Sequence, residues 1–228
     1  MSRDLIQSFL WRATVSRLEL FRSLTDRCAT IGSLMAKKLI AALSDSGLFL
    51  REWFANPQRT GAVAPSSPKL AAAMAHWLPA DPDSFVLELG PGTGAVTEAL
   101  IERGLREDRL VAIEKNPIMA RLLRKRFPSA QIITGDAWHL DDLLRERREP
   151  IESVGAVISS LPLLNFPLLL RRQLVDGALE RLAPGAPFIQ FSYGTHAPVP
   201  PPPGHSVVRA AQVWANLPPA RVWVYRKS

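Results

Sequence analysis

The run Glu88-Leu89-Gly90-Pro91-Gly92-Thr93-Gly94 constrains this chain more than any other segment. It grows out of Phe85-Val86-Leu87-Glu88-Leu89, a short apolar stretch with the texture of a strand buried on both faces. A helical pattern over 97–103 follows it. Glycines at alternate positions let the backbone turn sharply and let a ligand approach without side-chain obstruction. A plain strand-to-helix turn would use the same residues for structure alone. At the carboxyl end of the first strand of a doubly wound sheet, however, such a loop marks where a nucleotide-like cofactor lies.

Beyond the loop, strand and helix signals alternate. Strands are predicted over 109–114, 131–133, 154–159 and 188–193, with helices over 117–127, 140–148 and 167–181 between them. Pro117 falls in the first turn of its helix, where proline is tolerated. Two closing strands over 206–214 and 221–225 are joined by Asn216-Leu217-Pro218-Pro219, after a stiff proline run at 198–203. Alternation of this kind predicts an α/β fold with a mostly parallel, doubly wound sheet of seven strands and a C-terminal antiparallel hairpin.

The first sixty residues differ in texture. They hold nine basic residues against five acidic ones, so more than half of the net charge of +7 lies there. Leu5, Ile6, Phe9, Leu10, Ala13, Leu20, Phe21 and Leu24 share one broad helical face, with Arg17 intruding on it. A second helix is expected over 31–43 and a short third over 48–54. The predicted division is a helical region at 1–55, serving as a lid or membrane attachment, and a catalytic domain at 56–228.

Composition removes several classes of function. The single cysteine, Cys28, leaves no internal disulfide and no cysteine-only zinc site. The four histidines have no metal-ligand spacing, so no metal is expected. No stretch reaches the length of a spanning helix. The N-terminal apolar region is interrupted by Asp4, Arg12, Arg17 and Glu19, unlike a signal peptide. The expectation is a cytoplasmic protein, soluble or held at the membrane surface, whose pI near 10.2 suits an anionic partner.

Three further features fall where the loop leads one to look. Glu114 ends the second strand, twenty residues beyond Gly94, and can accept hydrogen bonds from both hydroxyls of a ribose. Asp136 follows the third strand, level with an adenine amino group. Ser159-Ser160-Leu161-Pro162-Leu163 follows the fourth, beside the place of a transferred group. Each also has a bland explanation, as an exposed strand-end acid, a Gly-Asp turn and a loop entering a helix. The glycine spacing is not the dinucleotide fingerprint, and no phosphate-loop lysine follows it.

In these residues the chain resembles the class I S-adenosylmethionine-dependent methyltransferases, over about 60–228. The resemblance implies a Rossmann-like domain that binds S-adenosylmethionine and releases S-adenosylhomocysteine. It places the cofactor among Ser66, Ser67, Glu88, Gly90, Pro91, Gly92, Thr93, Gly94, Glu114, Lys115, Asn116, Asp136, Ala137 and Ser160. The stretch from Asn56 to Pro68, with Ser159 to Pro167, is similar to the bacterial phospholipid N-methyltransferases. That likeness implies successive methylation of phosphatidylethanolamine to phosphatidylcholine by a peripheral enzyme on the inner face of the cytoplasmic membrane.

The residues bear on substrate in their own right. Adenine-methylating enzymes generally end their four-residue catalytic motif in an aromatic that stacks on a flipped base. Here Leu163 stands at that position and Ser160 replaces the usual Asn or Asp, which favours an alkyl amine and no nucleic-acid partner. An amphipathic N-terminal helix with flanking arginines suits an anionic membrane surface, although it would equally pack on its own domain. The run from Leu161 to Leu170 reads either as an acyl-chain entrance or as core. Main-chain carbonyls near Ser160 and Leu161 are candidates for orienting the amine. Tyr193 is the leading candidate substrate contact, through its hydroxyl or its ring, ahead of His196, Arg209 and Trp214. The competing readings are an rRNA adenine or protein methyltransferase, and a binding module that keeps the fold without the activity.

Overall fold

The computed structural model describes residues 66–79, 81–145, 151, 154–216 and 218–228. The expected N-terminal helices, the region 1–55 and the first part of the 56–68 stretch lie outside the described residues.

Seven strands form one sheet in the order β3-β2-β1-β4-β5-β7-β6. They are β1 (Phe85–Leu89), β2 (Leu110–Glu114), β3 (Gln131–Thr134), β4 (Val154–Ser159), β5 (Phe188–Ser192), β6 (His205–Val213) and β7 (Ala220–Lys227). The first five are parallel. β7 runs antiparallel to β5, and β6 pairs antiparallel with β7 at the edge. β1 pairs with β2 on one side and β4 on the other, so the chain reverses direction across the sheet there. That reversal opens a crevice at the carboxyl ends of β1 and β4.

Among the described residues, five α-helices accompany the strands: α1 (Pro68–Ala75), α2 (Ala95–Glu102), α3 (Pro117–Arg126), α4 (Leu140–Arg145) and α5 (Leu168–Glu180). Strand side chains alternate between two apolar layers. Val86, Ala156, Ile158, Ile189, Phe191, Val222 and Val224 face Leu70 and Met74 of α1 and Val96 and Leu100 of α2. Leu87, Leu89, Val157, Phe188 and Tyr225 face Leu140 and Leu144 of α4 and Leu174, Val175 and Ala178 of α5. α3 covers Ala112 and Ile132 through Ala120 and Leu123.

The predicted strands all occur, with ends shifted by a few residues. β5 stops at Ser192, which leaves Tyr193 in the following loop, and β6 stops at Val213, which leaves Trp214 in a turn. α1 was not predicted. Its start is nonetheless encoded: the Ser67 hydroxyl accepts from the Leu70 N–H at 3.2 Å, and Pro68 occupies the first turn. The proline-containing connection after β5 crosses from the carboxyl edge to the start of β6 and is pinned midway. There the Tyr225 hydroxyl donates to the Val199 carbonyl at 2.7 Å and accepts from the Val199 N–H at 3.3 Å.

Candidate active site

The loop after β1 owes its shape to three glycines with positive φ: Gly90 at 71°, Gly92 at 56° and Gly94 at 81°. L-residues rarely adopt this conformation. Two of the three are also crowded. A Cβ on Gly90 would lie 2.8 Å from Leu161 Cδ2, and one on Gly94 would lie 2.9 Å from Leu123 Cδ2. A Cβ on Gly92 would meet nothing within 4 Å. The loop is therefore packed from below and open above its middle glycine.

Two carboxylates flank the loop. Glu114, 8% exposed, accepts from the Gly92 N–H at 2.9 Å through Oε2 and from the Asn116 N–H at 2.8 Å through Oε1. It thus ties the end of β2 to the glycine turn. Glu88 is fully buried in β1. Its Oε2 accepts from the Thr97 hydroxyl at 2.7 Å, while Oε1 is buried without a partner. Burial pushes its carboxyl up to about 7; the Thr97 hydroxyl opposes the rise and the nearby Glu114 charge adds to it. Thr97 escaped the sequence reading, although a residue in the first turn after the loop is well placed to meet that acid.

Along β2 and β3 the other expected cofactor residues take distinct parts. Asn116 caps α3, its Oδ1 accepting from Ile118 N–H at 2.9 Å and Met119 N–H at 3.3 Å. Lys115 pairs with Asp136 at 2.7 Å, and its side chain is largely exposed. Asp136 Oδ1 also accepts from the Trp138 N–H at 3.3 Å, and Ala137 is buried, so its side chain belongs to the core.

The loop after β4 closes against the glycine turn. The Ser160 N–H donates to the Leu89 carbonyl at 2.9 Å, and its hydroxyl is buried without a partner. Leu161 covers Gly90 with its side chain. Its carbonyl accepts from Gln190 Nε2 at 3.0 Å, so Gln190, fully buried in β5, holds this loop in place. Leu163 is only 2% exposed and packs in the core.

On the far side, Tyr193 packs edge-on against Phe191, with centroids 5.6 Å apart. Its hydroxyl is buried without a hydrogen bond of ordinary geometry. Burial pushes the phenol up, and the adjacent Asn216 side chain opposes that rise. Asn216 Oδ1 in turn accepts from the Ser67 N–H at 3.0 Å, which joins the β6–β7 turn to the start of α1. Trp214 lies in that turn and is 73% exposed. His196 is exposed, with its Nδ1 3.0 Å from the Thr195 hydroxyl. Arg209 stands apart: it is exposed on the edge strand, level with Trp223 and Gln190 rather than at the strand ends. Gln190 and Asn216 were not singled out from the sequence, because their roles arise from contacts between distant segments.

A glycine turn between two acids, at the crevice of a doubly wound sheet, defines a class I methyltransferase fold. Comparison with known proteins agrees. Residues 66–162 match the family described as ribosomal RNA adenine dimethylase. An ornithine lipid N-methyltransferase from Singulisphaera acidiphila is 34% identical over 153 residues, which span 66% of this chain and 79% of that protein. A ribosomal RNA small subunit methyltransferase A from Chlorobium chlorochromatii is 34% identical over 102 residues, 43% of this chain but only 37% of its own length. TrmN from Thermus thermophilus shares the fold at 18% identity, with a TM-score of 0.55 over 76% of this chain and 53% of that one. The chain belongs to the S-adenosylmethionine-dependent methyltransferases, in the family of this lipid N-methyltransferase, and its residues 66–162 are also similar to the ribosomal RNA adenine dimethylases.

S-adenosylmethionine is the cofactor of this family, and the residues present fit it. The open space over Gly92 admits a ligand against the backbone, and the unpaired Oε1 of Glu88 supplies a buried acceptor at the same crevice. When bound, the cofactor supplies an electrophilic methyl group on a sulfonium. The chain's own task is alignment, which contributes up to ~7–11 kcal/mol in well-oriented reactions.

Proposed function

We propose that this methyltransferase acts on the amine of a lipid headgroup at a membrane surface. Phosphatidylethanolamine and its mono- and dimethyl derivatives are the substrates on this reading, with phosphatidylcholine as the product. The aminolipid of the Singulisphaera relative, ornithine lipid, offers the same kind of alkyl amine. The observation that carries the reading is the buried Leu163. Where an adenine enzyme presents a stacking aromatic, this chain sends an aliphatic side chain into its core.

The surface next to that loop supports a lipid partner. Leu164, Leu168, Leu169 and Leu170 are all exposed, Leu169 to 69%, and Arg172 beside them is exposed as well. An apolar ridge bordered by basic residues suits the interface of an anionic bilayer. Among the described residues no helix is long and apolar enough to cross a membrane.

On this reading the main-chain carbonyl of Ser160 orients the amine N–H and Tyr193 flanks the headgroup. The Leu161 carbonyl, expected to share that task, already accepts from Gln190 Nε2 at 3.0 Å and from the Leu163 N–H at 2.8 Å, which fills both of its lone pairs. The amine must arrive unprotonated, and its proton leaves to water or to an oxygen of the lipid. Labelled S-adenosylmethionine, offered together with phosphatidylethanolamine vesicles, ornithine-lipid vesicles, ribosomal RNA and a protein pool, tests the reading. Label is expected in lipid. Label in RNA alone would replace the reading with the adenine-methylating one, which the family match over 66–162 favours.

A further inference from the structure

Arg221 lies next to the start of β7 at the carboxyl edge of the sheet, in register with Ser192 of β5 and Gln212 of β6. Its half-buried side chain turns one nitrogen inward: Nη1 donates to the Gly194 carbonyl at 3.2 Å and the Tyr193 carbonyl at 3.5 Å. Nε is buried with no acceptor. None of the ion pairs among the described residues includes Arg221, whereas Arg106, Arg126, Arg145 and Arg181 each meet an Asp or Glu.

A guanidinium in this state carries an unanswered charge and an unpaired donor. The side that meets no protein acceptor, Nε–H beside Nη2–H, is the fork that meets two oxygens of a carboxylate or phosphate in parallel. The carbonyl bonds to Nη1 fix the direction of that fork. Its surroundings belong to the substrate half of the site. A Cβ on Gly194 would lie 2.9 Å from Leu164 Cδ1, so this loop abuts the turn that follows Ser160. Tyr193 belongs to the same loop, its buried hydroxyl beside the Asn216 side chain. At Pro198, four residues beyond Gly194, Arg171 of α5 repeats the pattern, with Nη1 donating to the Pro198 carbonyl at 2.8 Å and Nε unpaired. Two cations without acidic partners therefore bracket residues 194–198.

We propose that Arg221 receives the anionic group of the substrate headgroup, the phosphodiester or carboxylate that adjoins the amine to be methylated. The proposal rests on the lipid reading above and extends it: the enzyme selects an amine by the anion next to it. The anion seated on the fork sets how far the amine reaches toward the loop after β4. A long-chain amine without an adjoining anion lacks this anchor.

Titration calorimetry on the protein saturated with S-adenosylhomocysteine tests the assignment with soluble probes. Glycerophosphoethanolamine against ethanolamine examines the phosphodiester; Nα-acetylornithine against N-acetylputrescine, which lacks only the carboxylate, examines the carboxylate. At least one anionic probe is expected to bind on the order of tenfold more tightly than its partner, and the pair that shows the preference identifies the anion. Arg221→Met is expected to abolish the preference and to raise KM for lipid vesicles about tenfold, with S-adenosylhomocysteine affinity unchanged. Arg221→Lys is expected to recover only part of it. If the wild type prefers neither anionic probe, the assignment is overturned even should Arg221→Met fail to fold. A preference that persists in Arg221→Met, or lipid methylation with unchanged KM, overturns this inference alone. Absence of lipid methylation by the wild type overturns the lipid reading with it.

Discussion

Burial lets Glu88 hold its proton to a higher pH than an exposed glutamate would. With its carboxyl pushed up to about 7 from an ordinary 4.5, the folded chain holds the proton more tightly than the unfolded one. Its contribution to stability is therefore full below the unfolded value, falls as pH rises from about 4.5 toward 7, and is gone above that. A shift of this size corresponds to roughly 3 kcal/mol. Glu88→Gln keeps the shape and a partner for Thr97 but cannot ionise. Denaturant titrations between about pH 5 and 8 are expected to show wild-type stability falling relative to this variant. Parallel curves would locate the ionisation elsewhere. The same carboxyl shows how far sequence reaches at this scale. Its place in the loop was legible, as were Glu114 and the glycines, because strand, turn and helix are contiguous there. Its unpaired oxygen was not, since burial depends on α2 and β4 closing around it.

At the scale of elements, the alternating pattern gave every strand of the sheet, and the hairpin appears as the expected antiparallel edge. The insertion of β7 between β5 and β6 was not visible, because it depends on which strand edge the returning chain meets. That insertion fixes several contacts between distant segments. It sets Trp223 Nε1 3.0 Å from the Ser192 hydroxyl, brings Arg221 to the carboxyl edge, and places Tyr225 where it pins Val199. Tyr225 is buried, and burial pushes its phenol up to about 12, so it stays protonated as the donor that the Val199 carbonyl requires. Tyr225→Phe leaves a buried carbonyl and N–H of the 193–204 connection without their partner. A loss of about 1–3 kcal/mol is expected by thermal or chemical denaturation. A change within experimental error would mean that the connection is held by other contacts.

At the scale of the whole molecule, the exposed leucine run reaches the loop that Arg221 holds: Leu164 lies against Gly194, whose carbonyl accepts from Arg221 Nη1. The sequence left the run from Leu161 to Leu170 undecided between core and acyl-chain entrance. The structure divides it: Leu163 enters the core, whereas Leu164 and Leu168 to Leu170 face outward. If this ridge meets lipid, Leu169→Glu is expected to weaken co-sedimentation with anionic vesicles several-fold, with little change in the unfolding midpoint. Unchanged sedimentation would return membrane attachment to the basic N-terminal region. The rRNA-like and lipid-like readings share one requirement, which is that the turn from Glu88 to Gly94 and the acid at Glu114 hold the methyl donor. Calorimetry with S-adenosylhomocysteine examines this most directly. Stoichiometric binding is expected in the wild type. On the reading that Glu114 grips the ribose, Glu114→Ala should weaken it by roughly thirtyfold or more, about 2 kcal/mol, and the Gly92 N–H loses its acceptor as well. No uptake by well-folded wild-type protein, or equal affinity in the variant, would contradict the account.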